Sequence, residues 1–156
     1  MIRALLIALL ASGCTYELGN RVEPIVADGY DASIAAEWRD LVAEAGAIWR
    51  DALGCADPFP SDGDGPTLPV TLYPPATWPG GPGRVGLAAA DDVIVKGPVP
   101  GEPMGLMIDI LLHELGHIMH LGHNLGDPTS VMYVPVRQVT WPNARDIELA
   151  RAMVCP

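Results

Sequence analysis

"HELGHIMHLGH", residues 113–123, places four histidines within eleven residues, a density that points to a metal. His113 and His117 stand four residues apart. On a helix, that spacing brings two imidazoles from adjacent turns toward one ion, and a neutral ring nitrogen binds zinc at about 2.0–2.1 Å. Glu114 directly follows the first histidine, where its carboxylate reaches a water at the ion's open position. H-E-x-x-H also arises by chance in helices rich in Glu and His, so a third ligand matters. At about 100° per residue, His120 lies within about 20° of His113 on a straight helix, and His123 lies about 80° away. An unbroken helix therefore favours His120. Three ligands in line over two turns would, however, span about 10.5 Å, a poor basis for a tetrahedron. A chain that breaks after residue 120 and turns back brings His123 to the ion instead, and Gly122 eases such a turn. Both sets stay open on geometry alone.

Working outward, "MGLMIDILLHELGHIMHL" (104–121) carries Leu, Ile and Met on most faces, so it predicts a helix through the middle of a domain. From Ser33 to Leu53, apolar residues at Ile34, Trp38, Leu41, Ala45, Ile48 and Ala52 predict an amphipathic helix. "TLPVTLY" (67–73) reads as a strand in a Pro- and Gly-rich region. "GRVGLAAADDVIVKG" (83–97) reads as two strand segments around Asp91 and Asp92. "NARDIELARAMVC" (143–155) opens a last helix at Asn143, with Asp146 in its first turn. The fold class is α+β, a mixed sheet with N-terminal, central and C-terminal helices in one domain over 33–156. Residues 14–32 show no period and read as a tether. Asp62, Gly63, Asp64 and Gly65 offer a weak calcium site or an exposed turn, and no spaced ligand set follows them.

The chain has 156 residues, 17 Gly, 16 Pro and a formal charge of −10. One domain with many turns fits that length and composition. A single Lys among nine basic residues leaves no basic stripe for a phosphate backbone, so nucleic acid is excluded as a partner. "MIRALLIALLASGC" combines one early positive charge, an apolar run too short for a bilayer, and small residues before Cys14. Residues 1–13 read as a signal peptide. Leu10 to Cys14 resemble the lipobox of bacterial lipoproteins, which implies a lipidated Cys14 and membrane contact at the bacterial cell envelope. Ala11 departs from the more usual Leu, and simple secretion after a cut near Gly13 is the alternative. Cys55 and Cys155 remain in an oxidising compartment. A disulfide is the first reading and two buried thiols the second.

With Met132 in "DPTSVMY" nine residues after His123, the run resembles the metzincin zinc peptidases, whose signature is H-E-x-x-H-x-x-G-x-x-H with a downstream Met-turn. The Tyr directly after the Met brings it closest to the matrixin branch. The resemblance covers roughly residues 85 to 156. It implies His113, His117 and His123 as ligands of one catalytic zinc, Glu114 as general base, and Met132 as an apolar floor under the metal. It implies peptide-bond hydrolysis through a zinc-held water, on a substrate lying extended along an edge strand drawn from "GLAAADDVIV". Val134, Pro135 and Val136 would wall the pocket for an apolar side chain after the scissile bond, with Tyr133 supporting that wall. His120 departs from the family, standing where the signature has Gly. Asp109 reads either as the acceptor of the second N–H of His113 or as an exposed helix carboxylate. Asp146 reads as a link to the Met-turn or as a helix cap. The rival function is a surface lipoprotein that binds zinc without catalysis, against which Glu114 argues. Oligomeric state has no signature here.

Overall fold

Asp31 opens the first helix, its carboxylate accepting hydrogen bonds from the N–H groups of Ser33 (2.9 Å) and Ile34 (3.2 Å). That helix, α1, spans Ala32–Leu53 and ends at Gly54, whose φ of 66° is the left-handed C-terminal turn that glycine adopts at little cost. The computed structural model describes residues 21–55, 57–60, 66–89, 91–99, 104 and 107–155. The signal segment, Cys14 and the Asp62–Gly65 cluster lie outside these residues. The described chain forms an α+β domain of four strands and three helices.

The strands are β1 (Arg21–Val26), β2 (Thr67–Tyr73), β3 (Gly86–Ala89) and β4 (Asp92–Lys96), arranged in the order β1-β2-β4-β3. β1 with β2 and β2 with β4 run parallel, whereas β3 and β4 form an antiparallel pair at the opposite edge. β1 corrects the expectation of a tether reaching residue 32. Its Pro24 and Glu23 hide any strand period, and an edge strand is where Pro is tolerated in a sheet. Leu68, Val70 and Leu72 of β2 and Val93 and Val95 of β4 are completely buried, as alternation on a covered sheet face requires.

The helix α2 spans Met107–Ile118 and packs with α1 over the sheet, and α3 spans Ala144–Val154. The buried stripe of α1 keeps Ile34, Trp38, Ala45 and Ala52 from the sequence expectation and takes Val42 and Trp49 in place of Leu41 and Ile48. Val42 and Trp49 hold the centre, and Leu41 and Ile48 flank it half-buried. Two tryptophans account for the shift, because each needs a partner for its indole N–H when buried. Trp38 Nε1 donates to the Val70 carbonyl at 2.9 Å and Trp49 Nε1 to the Leu112 carbonyl at 3.1 Å, locking α1 to both β2 and α2. At the far end Arg151 of α3 donates to the carbonyls of Leu53 and Ala52 at 2.8 and 3.2 Å, where the last turn of α1 leaves them free. Cys55 and Cys155 meet beside this junction at disulfide distance, with Cα atoms 5.9 Å apart.

Candidate metal centre

α2 fixes the first two histidines. His113 Nδ1 lies 2.8 Å from the carbonyl oxygen of Val131, and His117 Nδ1 lies 2.8 Å from that of Leu121. A carbonyl only accepts, so both Nδ1 atoms carry the proton and both Nε2 atoms present bare lone pairs. The second N–H of His113 thus goes to Val131 and not to Asp109. Asp109 is not an exposed carboxylate either. It is buried, its Oδ1 has no hydrogen-bond partner among the described residues, and burial raises its pKa.

The end of α2 decides the third position. His120 N–H donates to the His117 carbonyl at 2.9 Å and Leu121 N–H to the Gly116 carbonyl at 3.0 Å, the paired bonds of a Schellman turn. His120 occupies its left-handed position with φ of 65°. A residue with a Cβ costs about 1–2 kcal/mol there, and His is among the types that tolerate it best. Its side chain points to solvent. Leu121 is buried, and Asn124 N–H donates to the Met132 carbonyl at 2.9 Å, so the returning segment is held at both ends with His123 between.

His113, His117 and His123 consequently converge. His117 Nε2 lies 3.1 Å from His113 Nε2 and 3.1 Å from His123 Nε2. Among the described residues these three form the metal-capable group, and His120 is left out of it. Tetrahedral zinc with Zn–N of about 2.0–2.1 Å sets its ligand nitrogens about 3.3 Å apart. The two spacings from His117 come close to that edge, and all three ligand nitrogens lie within 4.8 Å of one another. Two bare nitrogens at hydrogen-bond distance repel unless a proton or a cation stands between them. Burial first, then the neighbouring imidazoles, pushes the His113 pKa down to about 4, and burial also lowers His117, which disfavours the proton. An N3 donor set of this kind suits zinc, with one coordination position left open.

Against α2, a turn through Ser130–Tyr133 carries Met132, which is buried. Gly116 lets it approach: a Cβ there would collide with the Met132 Sδ and lie 3.3 Å from its Cε. Asp146 braces the same turn, its carboxylate accepting from Ser130 Oγ (2.5 Å), Val131 N–H (2.9 Å) and Asn143 N–H (3.1 Å). It therefore fills both roles read from the sequence, since it also closes the capping box of α3 with Asn143.

Glu114 faces a cavity of about 670 Å³ together with the three histidines. One wall is β3 and the other is Val134, Pro135 and Val136, joined by a cis Val134–Pro135 bond. Tyr133, which directly precedes this wall in sequence, does not itself line the cavity and lies under the Arg137 guanidinium, 5.1 Å from its ring centre. Burial raises the Glu114 pKa to about 7. Gly86 of β3 makes the room for it, because a Cβ there would collide with Oε1 and lie 2.7 Å from Cδ. Sequence reasoning missed Gly86, although a glycine inside a strand pattern is the recognised signal of a close approach. No protein-family model matches the chain, and no curated protein matches it.

Proposed function

We propose that the chain is a zinc-dependent endopeptidase of the metzincin class, nearest the matrixin branch, exported and held at a bacterial envelope by Cys14. The observation that carries the reading is one constellation: three imidazoles whose ligand nitrogens lie within 4.8 Å of one another, with a desolvated carboxylate facing the same cavity. A zinc ion held by His113, His117 and His123 supplies Lewis acidity to a scissile carbonyl and lowers the pKa of water toward 7.

The chain's own groups do the rest. An extended peptide adds to the outer edge of β3, where backbone pairing gives affinity and the Val134–Val136 wall receives an apolar side chain. Glu114, with little water around it, takes a proton from the attacking water and passes it to the leaving amine. A pKa near the working pH suits both transfers. Val131 and Leu121 carbonyls hold the imidazole rings in the tautomer that leaves Nε2 free.

The test is zinc content together with hydrolysis of quenched peptides. Glu114→Ala should keep stoichiometric zinc and lose about 10²–10⁴-fold in turnover. Zinc binding by the wild type with no cleavage across broad peptide libraries would instead identify a catalytically silent scaffold.

A further inference from the structure

Among the described residues, one cationic Arg or Lys side chain lines the cavity. Arg84 lines it, makes no ion pair among the described residues, and has Glu114 as the single carboxylate sharing the cavity lining. The chain positions it deliberately on one side of the chemistry. Gly83, at φ of 77°, turns the backbone immediately before it, and Lys96 N–H donates to the Val85 carbonyl at 2.8 Å, so the β3–β4 ladder continues up to Val85. Gly86 meets Glu114, which sets the scissile bond beside that residue. Arg84 then lies two residues upstream of it, about 7 Å along an extended strand.

A peptide adding to β3 in the slightly more stable antiparallel sense runs opposite to it. Its leaving-group side therefore lies beside the residues that precede Gly86. We infer that Arg84 selects a carboxylate about two residues beyond the scissile bond on the leaving-group side. The carboxylate is either an Asp or Glu side chain or the substrate's own C-terminus, and a guanidinium binds both in the same bidentate manner. This inference rests on the peptidase reading of the cavity. With the apolar wall beside it, the site would take an apolar residue followed closely by an acid.

The experiment uses the zinc-loaded full chain carrying Glu114→Ala, which holds peptides without turning them over, and reads anisotropy of labelled peptides alike except near the end. One has Asp and a C-terminal amide, one Asn and an amide, one Asn and a free C-terminus, and one Lys and an amide. The Asp peptide, the free-acid peptide or both should bind roughly three- to fivefold tighter than the Asn amide, the size expected of a solvent-exposed pair. Which of the two gains names the source of the carboxylate. The preference should shrink at high salt, vanish when Arg84→Gln is added and turn toward the Lys peptide with Arg84→Glu. Equal binding of all four, or a preference surviving Arg84→Gln, would overturn the inference. Arg84-dependent binding beside a wild type that cleaves nothing across broad peptide libraries would leave Arg84 as a carboxylate-binding residue and refute the peptidase reading instead.

Discussion

Glu114 and Gly86 form a pair in which the absence of a side chain on one positions the other. Gly86→Ala should displace the carboxylate while the histidines stay put, and a misplacement on the order of 1 Å costs roughly 10²-fold in rate. Peptide turnover compared with zinc content checks this, zinc being retained. His120 has the opposite status, a side chain where none is wanted. His120→Gly should keep zinc and change stability by no more than about 1 kcal/mol, because relief of the left-handed backbone is offset by the greater freedom of glycine in the unfolded chain. Urea unfolding measures it. Protonation belongs to this scale as well. Burial lowers His113 to about 4, so zinc competes with protons at His113 only well below the ordinary value of 6.5. In stability terms, the unfolded chain binds the His113 proton over this window. Its contribution is complete above pH 6.5 and lost as pH falls toward 4. Glu114 acts in the other sense. Its pKa is raised from 4.5 to about 7, so stability in the metal-free chain declines as pH rises through that range. Zinc content measured against pH should hold through 6.5, and half-loss at or above 6.5 would refute the role given to burial.

At the scale of elements, the C-terminus of α2 and the N-terminus of α3 act through one turn. Asp146 gathers two donors from the segment carrying Val131, whose carbonyl orients His113, and a third from Asn143 at the start of α3. Asp146→Ala should cost about 3 kcal/mol and weaken zinc binding by about 10–100-fold, read by chemical denaturation and by competition with a chelator. The sequence made α2, α3 and the β3–β4 pair legible because each is written in local spacing: H-E-x-x-H, an Asn three residues before Asp, and a run of β-branched residues. β1 left no such trace. Its ladder pairs Arg21 with Thr67 across a long intervening stretch, and nothing local in "RVEPIV" records a partner that far away. The choice between His120 and His123 was open for a related reason, since angles on a straight helix favour the former. The turn closed by His120 and Leu121 decides it with backbone hydrogen bonds, and Val131 likewise acts through a backbone carbonyl. Neither has a side-chain signature.

Over the whole molecule, helices α1 and α3 are joined at one end by Arg151 and by the proximity of Cys55 and Cys155, 100 residues apart in sequence. A bond between them closes most of the domain into one loop, and Cys55→Ser with Cys155→Ser should lower stability by about 2–4 kcal/mol in an oxidising buffer. The same pair of substitutions should have no effect on stability when wild type and variant are compared under full reduction. This brace lies at the junction of α1 with α3, so zinc should remain bound in the folded variant. The proposed activity depends on a cation joining three imidazoles that the fold has already brought together. Metal analysis of the purified chain beside its His123→Ala variant tests that most directly. One zinc per chain in the wild type, with loss of tight binding in the variant, is the predicted result; a wild type without stoichiometric metal, or a variant that keeps its zinc, would contradict it.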